Sequence, residues 1–573
     1  MKNIFLSFAC FSFLALPVLG QDDVRKLLQE VEKRKDETPA SVIRDIAKIG
    51  TPEAWLALRK SIGIFKQPSK LSVAYRSFKH FNGKGDLERR SIACLLEEAD
   101  SQKVSVAWLA VSGLQGLMPG AELDLLNLVE THEDPLCRAI ALKPIIGYVQ
   151  RNRTADNLMM LLDNFRPKKS GKSSVFVDTV KLFDIDGHRE ILKERLLDGG
   201  YSDLMKLLIL EVLRGDKIQE LESLVLPCLD SDNPSVALSA LRVVQGHSLS
   251  IDRLTLIGLG KHKDSGVRMT ALVIEAQTTE GLVKREKKIA RWTKSRDPVQ
   301  RQAAANSYGL LPADVCVPGL QRLARDDAFA VRHDALGALY RLRHPLALEV
   351  LIKVLGHGDR MTRDLAQRLL VGLTGERFGQ SERTWSRWWI DHRVGFVFPG
   401  EKEVDRRLHE FKRKSSEGET AAAFFGLPVI SQHVAFVLDT SSSMLADFSS
   451  SSRYGGAGGT RLSAAKEQLL LALGKMPNGS WFNIFNFDIN GMAWKKSLVK
   501  LSSRTRMEAE DHIEALVSRG ATAMFDALEL AFEDSEVDTI FLLSDGVPAG
   551  GKIDDPDLIV HEVNRWNMTR RIP

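Results

Sequence analysis

The sequence has few cysteines, little net charge and, after its first twenty residues, no long apolar run. It contains 5 cysteines among 573 residues, none of them in a CxxC pair, so no metal site made of thiolates is predicted. The cysteines beyond residue 20 stand singly in apolar helical patterns, which favours buried free thiols over disulfides. The formal net charge is only +5, and the basic cluster at 284–294 is interpreted as a solvated helix face. Nucleic acid is therefore not a predicted partner.

Common hydrolase motifs are also absent. The zinc-protease motif HExxH does not occur, because His132-Glu133 and His561-Glu562 both lack the second histidine. No GxSxG motif of a nucleophilic serine is present either. These absences disfavour catalysis, although a metal-dependent hydrolase stays an alternative function.

The N-terminal residues MKNIFLSFACFSFLALPVLGQ have the pattern of a secretory signal. Lys2 precedes an apolar stretch that runs from Ile4 to Leu19, and Gly20 suits the small-residue cleavage pattern. The stretch is short for a membrane span, which needs about 20 apolar residues. We expect residues 1–20 to be a cleaved signal peptide and the mature chain to be exported without stable membrane insertion. The location would then be periplasmic, cell-envelope or secreted.

A helical pattern repeats between residues 21 and 395. An aspartate, a small apolar residue and an Ala-Leu pair recur at steps of 31, 33, 31 and 31 residues, through Val236, Val267, Gln300, Val331 and Thr362. A constant period of this size predicts stacked pairs of helices, that is, a solenoid. The aspartate of each repeat, such as Asp232, Asp264 or Asp327, is expected to cap the second helix. The pattern resembles bacterial HEAT repeats of the form D-x-x-V-R-x-x-A-x-x-A-L, which implies a concave face that binds proteins.

The repeats end in a tryptophan-rich segment that a linker follows. Trp385, Trp388 and Trp389 are spaced to form one stripe on a helix. We interpret them as a hydrophobic cap on the last repeat rather than as a sugar-binding platform. The composition then changes over residues 396–430, which we predict to be a linker that includes a charged helical run at 401–414.

Residues 431–573 follow a different pattern, in which apolar strands alternate with amphipathic helices. This alternation predicts a doubly wound, Rossmann-like α/β domain with a mostly parallel sheet. The predicted strands are 433–438, 481–487, 493–500 and 539–543, and the predicted helices are 461–475, 507–517, 523–533 and 557–566. Ligands of such sheets bind at the carboxyl ends of the strands.

Five oxygen-bearing side chains are predicted to meet at this edge. Asp439, Ser441 and Ser443 follow the first strand in FVLDTSSSM, Thr522 lies in a glycine turn before a helix, and Asp545 follows the strand TIFLL. Carboxylates and hydroxyls without histidine or cysteine suit a hard cation such as Mg²⁺. The sequence therefore predicts a metal site at these residues.

The segment resembles a von Willebrand factor A domain, and the five residues match its metal-ion-dependent adhesion site, D-x-S-x-S…T…D. The resemblance implies that Ser441 and Ser443 ligate the metal directly and that Thr522 joins them or leaves with conformational state. Asp439 and Asp545 would act through bound water. The ion would be Mg²⁺, with Mn²⁺ or Ca²⁺ as alternatives, and an open coordination position would take an acidic side chain of a partner. Two departures from the family are small, since Ser442 and Ala521 stand where glycine is common.

The resemblance also predicts a missing part and a function. In the family, two more strands and a helix follow the elements found here, so we expect that the domain is truncated or is completed by another chain. Together the features predict an exported, non-enzymatic protein-binding or adhesion-type protein. Its partner would bind through an acidic residue at the metal site and through the concave face of the solenoid. A role as an assembly or chaperone partner of an envelope complex is a further alternative.

Overall fold

The computed structural model describes residues 21–101, 103–167, 172–215, 220–415, 423–429, 431–448 and 459–572. The predicted signal peptide at 1–20 and residues 416–422 of the predicted linker lie outside the described residues. The chain divides into two compact units, Met1–Leu192 and Lys193–Pro573, which we describe separately. No helix of the described residues is long and apolar enough to cross a membrane.

The first unit is helical. Its helices pack against the next helix but one, as α2 does on α4, α4 on α6 and α6 on α8, which is the stacking of a repeat array. Side chains of Thr51, Asp134 and Thr154 accept backbone N–H bonds at the starts of α3, α8 and α9. The helices are α1 (Gln21–Arg34), α2 (Ala40–Ile49), α3 (Pro52–Ile64), α4 (Pro68–Ser77), α5 (Asp86–Ala99), α6 (Val104–Leu114), α7 (Glu122–Thr131), α8 (Pro135–Arg151), α9 (Ala155–Asn164) and α10 (Ser173–Val180), and α11 (Arg189–Leu197) follows at the boundary.

The second unit begins with the regular repeats. Helices α14, α16, α18, α20 and α22 pack on one another in order, and we call them the second-helix row. The odd-numbered helices α15, α17, α19 and α21 each pack on the helix that follows, so the arrangement is the predicted helical solenoid. The helices are α12 (Asp203–Leu213), α13 (Leu221–Val225), α14 (Pro234–His247), α15 (Arg253–Leu259), α16 (Ser265–Thr278), α17 (Leu282–Trp292), α18 (Pro298–Ser307), α19 (Ala313–Leu323), α20 (Phe329–Leu342), α21 (Pro345–His357), α22 (Arg360–Thr374), α23 (Glu382–His392) and α24 (Glu401–Ser415).

Most of the predicted helix caps are present, one is provided by a neighbouring residue, and the one at α20 is absent. Asp264, Asp297 and Asp359 accept backbone N–H bonds at the starts of α16, α18 and α22. The expectation for α14 was wrong by one residue, because Asn233 rather than Asp232 caps it, with its Oδ1 2.8 Å from Ser235 N. The expectation that Asp327 caps α20 was wrong, because the N-cap residue is Ala328 and no side-chain hydrogen bond caps this helix. Asp326 accepts from Ala328 N at 3.0 Å and so stabilises the turn that precedes the helix.

Three successive repeats are each tied to the next by an arginine–aspartate pair. Arg301 donates Nε and Nη2 to the two carboxylate oxygens of Asp326 at 2.6 and 2.8 Å, and its Nη1 reaches the carbonyl of Ser295 at 2.9 Å. Arg332 pairs with Asp359 through Nη2, while its Nε donates to Thr362 Oγ1 at 2.9 Å, and the Nε of Arg268 lies 3.5 Å from Asp297. Asp297 and Asp359 therefore serve twice, as helix caps and as partners of an inter-repeat guanidinium. We call these contacts the inter-repeat pairs.

The tryptophan-rich segment packs on the last repeats. Trp385 and Trp389 are buried in the same apolar core as α20 to α22, and Trp388 packs against that core from a partly buried position. This packing agrees with the interpretation as a cap. Next, α24 lies within the predicted linker and packs on α22, where Val404 and Leu408 approach Gly372. The cysteines at 94, 137, 228 and 316 are buried and free, as the sequence predicted.

The remaining residues of the second unit form the predicted α/β domain. Its main sheet has the order β7-β6-β3-β9, with β8 also paired to β6, and β3 runs parallel to both β6 and β9. Strands β7 and β8 run antiparallel to β6, so the sheet is mixed at that edge. The elements are β1 (Ala423–Phe424), β2 (Leu427–Pro428), β3 (His433–Asp439), β4 (Asp447–Phe448), β5 (Gly459–Thr460), α25 (Arg461–Lys475), β6 (Trp481–Phe487), β7 (Gly491–Ala493), β8 (Val499–Lys500), α26 (Ser503–Ala515), α27 (Met524–Glu533), β9 (Thr539–Leu543) and α28 (Pro556–Arg570).

The prediction of one strand at 493–500 was wrong, because two short strands, β7 and β8, flank residues 494–498. Trp494 N still donates to Ile484 O at 2.8 Å. At the next residue the side-chain amide of Asn483 accepts from Lys495 N at 3.1 Å and donates to Lys495 O at 2.8 Å, so it takes the place of the backbone ladder. Both faces of the sheet are covered. Val434, Phe436 and Leu438 face a core that includes α25 and α26, and Ala435 and Val437 face the core under α27.

We predict that the inter-repeat pair of Arg301 stabilises its two repeats locally. Arg301→Ala removes bonds to a carboxylate that is 9% exposed, which should cost about 2–3 kcal/mol. Hydrogen exchange of α18 and α20 in the full chain should then accelerate by roughly one to two orders of magnitude. Arg504→Ala is the control, because Arg504 is 88% exposed in its pair with Glu508 and its loss should leave exchange unchanged. Equal exchange in both variants would contradict the prediction.

Candidate metal site

The parallel pairing of β3 with its two neighbours brings three loops to one edge of the sheet. Asp439 is the last residue of β3 and lies opposite Phe487 of β6, while Leu438 lies opposite Leu543 of β9. The three loops that follow β3, β6 and β9 therefore begin side by side at this edge. Thr440 holds the ends of β3 and β6 together, because its backbone N and its Oγ1 both donate to the carbonyl of Phe487, at 2.9 and 3.0 Å.

Four of the five predicted ligands belong to one network of hydrogen bonds. Asp439 is fully buried, and its Oδ1 accepts from Ser441 N at 2.8 Å. Ser441 Oγ and Ser443 Oγ are 2.9 Å apart, and Ser443 Oγ donates to Asp545 Oδ1 at 2.6 Å. The hydroxyl of Ser544 donates to Asp439 Oδ2 at 2.6 Å and so adds a second residue of the loop after β9 to the network. Side chains from two loops that are a hundred residues apart in sequence thus converge.

The fifth predicted ligand, Thr522, lies on a loop whose backbone is hydrogen-bonded to the loop after β3 and to the loop after β9. Gly520 O accepts from Ser442 N at 3.3 Å, and Arg519 N donates to Thr440 O at 2.8 Å. On the other side, Thr522 O accepts from Ala549 N at 3.2 Å. These backbone bonds bring the loop of Thr522 to the edge, and its side chain is buried at 6% exposure. Ligation of a metal by its hydroxyl stays a prediction.

The network keeps a carboxylate ionised beside an accessible hydroxyl. Burial raises the pKa of Asp545, but the hydrogen bond from Ser443 and the ion pair with Arg461 outweigh it, so that the pKa lies below its ordinary value. The distance from Arg461 Nη1 to Asp545 Oδ2 is 2.6 Å. Ser443 is exposed whereas Ser441 is buried, so one rim of the network faces solvent.

Sequence reasoning missed two residues of the network. Ser544 directly precedes Asp545 at the end of β9, and this position next to a predicted ligand was the available signal. Arg461 begins α25 and meets Asp545 across 84 residues of sequence, so no spacing rule could have indicated it. Around them, Ser518 Oγ donates to the carbonyl of Ser441, and Arg519 Nε bonds Asp488 Oδ2 at 2.7 Å. These bonds fix the backbone that carries the hydroxyls.

The oxygen donors are of the type that a hard divalent cation requires. Hydroxyl and carboxylate oxygens lie 2.6–2.9 Å from one another in the network. This is close to the separation of about 2.9 Å between adjacent oxygens around an octahedral Mg²⁺ ion, so their lone pairs could turn towards an ion without a large movement of the backbone. Among the described residues, no group of three or more His, Cys, Asp or Glu side chains is arranged to hold a metal. A site here would therefore depend on the serine and threonine oxygens, and the donor set fits Mg²⁺ better than zinc.

Two family models match parts of the chain. One is the von Willebrand factor type A domain, at residues 432–563, and the other is HEAT repeats, at residues 287–370. The chain carries HEAT repeats and a C-terminal von Willebrand factor type A domain. We refer to the latter below as the A domain.

Curated relatives match only within limited segments. Inter-alpha-trypsin inhibitor heavy chain H3 of Homo sapiens is 31% identical over 103 residues, which are 18% of this chain and 10% of the relative. Von Willebrand factor A domain-containing protein 3B of Homo sapiens is 30% identical over 87 residues, 15% of this chain and 6% of the relative. Inter alpha-trypsin inhibitor, heavy chain 4, of Mus musculus is 27% identical over 149 residues, 24% of this chain and 14% of the relative. The chain thus spans less than a sixth of the length of each of these relatives.

We predict that the hydroxyl of Ser443 is needed for binding of a divalent ion. Ser443→Ala removes an oxygen from the centre of the network and should weaken binding of Mn²⁺, used as a probe, at least tenfold in calorimetric titration. Ser442→Ala is the matched control, because Ser442 is also exposed and takes part here through its backbone N–H, which donates to Gly520 O. The prediction is wrong if both variants bind Mn²⁺ as tightly as the unaltered chain.

Proposed function

We propose that the chain is a non-enzymatic protein-binding protein whose A domain captures an acidic group of a partner through a divalent ion. The ion, Mg²⁺ or else Mn²⁺ or Ca²⁺, would be held by Asp439, Ser441, Ser443, Thr522 and Asp545. The positively charged ion would keep one coordination position open for a carboxylate of the partner. The residues of the chain itself orient the oxygens, and Ser443 and Arg461 hold the pKa of Asp545 below its ordinary value.

The observation that carries the proposal is the asymmetry of the hydroxyl network. Its inner side is closed by Asp439, which is fully buried and accepts two hydrogen bonds. Its outer side ends in the exposed Ser443. An ion at such a network would be anchored from within the sheet and open to solvent, and an incoming carboxylate could then complete its coordination.

The side chains at the edge support binding rather than catalysis. Asp439 and Asp545 both accept hydrogen bonds on both carboxylate oxygens, which leaves neither in position as a free general base. The likeness to A domains of otherwise different proteins fits a module used for protein contact, and HEAT repeats offer a second surface of the same kind.

The place of action is part of the proposal. The signal-type sequence at residues 1–20 supports export, so that the partner would be met in the periplasm, in the cell envelope or outside the cell. Mg²⁺ and Ca²⁺ are both available to a protein in such a setting. Acidic residues on an envelope protein would be suitable groups for capture.

Selection of displayed peptides tests the proposal directly. We predict that the full chain, immobilised in Mg²⁺, retains peptides that contain an essential Asp or Glu and releases them in EDTA. Replacing that residue by Asn or Gln should abolish retention, since an amide is a far weaker ligand for a hard cation. Ser443→Ala should lose the same peptides, whereas Ser442→Ala should keep them. Retention that persists in EDTA, or peptides without an acidic requirement, would refute capture through the ion.

A further inference from the structure

One position of the second-helix row lacks its arginine. In the aligned repeats, the residue after Val267, Gln300 and Val331 is an arginine, and it forms the inter-repeat pair with the aspartate of the next repeat. The residue after Val236 is Ala237. The repeat of α14 therefore offers no guanidinium to Asp264, which is the capping aspartate of the next repeat.

Helix α28 of the A domain supplies the missing group. Arg565 Nη1 forms an ion pair with Asp264 Oδ2, while the other carboxylate oxygen, Oδ1, accepts from Val267 N at 3.0 Å. The side chains of the pair are only 12% and 14% exposed. The contact thus has the geometry of an inter-repeat pair, although its arginine comes from a residue 301 positions later in the chain.

A second arginine makes a similar contact further along the row. Arg571 Nε donates to Asp334 Oδ1 at 2.6 Å. Asp334 lies on α20, is 3% exposed and also accepts on Oδ2 from Asn306 Nδ2 at 2.9 Å. A carboxylate buried to this extent needs a cation beside it, because an unpaired buried charge is costly.

Small polar residues line the rest of the contact. Ser235 donates to Glu562, and the hydroxyls of Ser265 and Thr569 are 2.7 Å apart. At Gly266, an added Cβ would come within 3.4 Å of the carbonyl oxygen of Arg565. Short side chains on the row therefore let the backbone of α28 approach closely.

We propose that the second-helix row from α14 to α20 is a docking surface for an arginine-bearing helix and that its occupant is α28 of the same chain. Because Ala237 stands where the other repeats have an arginine, Asp264 is left to pair with Arg565. Asp334 pairs with the second arginine, Arg571. The A domain is thereby fixed on the repeats by specific contacts rather than tethered only through residues 396–430. A protein partner that uses this part of the row must first displace α28.

Cysteine trapping tests the contact in the full chain. Cysteines in the variant Ser265→Cys/Thr569→Cys replace two hydroxyls that are hydrogen-bonded, so mild oxidation should form a disulfide that shifts the band on a non-reducing gel. The described native cysteines are buried and should not compete. The control is Ser265→Cys/Val560→Cys, because Val560 lies on α28 but is 58% exposed. No disulfide in the first pair, or equal amounts in both, would overturn the proposal.

A cleavage experiment tests the role of the arginine. A protease site placed in residues 416–422 allows the folded chain to be cut, after which the two parts should elute together from a sizing column. Arg565→Ala and Asp264→Asn, which keeps a capping oxygen, should each weaken this association at least tenfold, and the double variant should be no weaker than the worse single one. Val560→Ala should leave it unchanged. Parts that separate without any substitution, or additive effects of the two substitutions, would contradict a specific pair.

Discussion

The candidate site depends on the parallel pairing of β3 with both β6 and β9. Because the three strands run in one direction and are in register, Asp439, Asp488 and Ser544 leave the sheet at one edge. Antiparallel pairing of either neighbour would send one of the three loops to the opposite end. Strand β3 is buried on both faces, and a shift of its register by one residue would turn Phe436 and Leu438 to the wrong core. The apolar packing thus fixes the position of the polar edge.

In the repeats, a single type of side chain performs two tasks. An aspartate before the second helix caps that helix with one oxygen and accepts an arginine of the preceding repeat with the other. Local capping alone would form each helix but would not set the distance between repeats. The arginine adds this second constraint, since it also donates to the carbonyls before its own helix, as Arg332 does to Asp326 O at 2.6 Å. The contact between Arg565 and Asp264 uses the same chemistry across a domain boundary.

Much of this architecture could be predicted from the sequence because it follows from local periodicity. The strands at 481–487 and 539–543 and the helix at 461–475 have the predicted bounds, since each is a clear apolar or amphipathic run. The error at 493–500 arose where a side chain of β6, Asn483, takes the place of the backbone ladder beside Lys495.

The contacts between distant side chains could not be predicted. Within the site, the motif placed Asp439, Ser441, Ser443, Thr522 and Asp545 at one edge, but the partners Arg461 and Ser544 follow from tertiary structure. The pairs of Arg565 and Arg571 with the repeats span hundreds of residues. Ala237 by itself gives no indication of which residue replaces the arginine. Periodicity gives the elements and their order, whereas such partners depend on how the elements pack.

One continuous segment links the polar edge to the docking helix. From Asp545 the chain runs past Ala549, which is bonded to Thr522, and past Lys552, whose backbone N donates to Asp526 Oδ1 at 2.9 Å, before α28 begins at Pro556. These bonds restrain the segment at both the candidate ligand loop and α27. A displacement of α28 that moved this segment would therefore change the geometry of the edge. By thermodynamic reciprocity, binding at the edge would then alter the docking of α28 by the same factor.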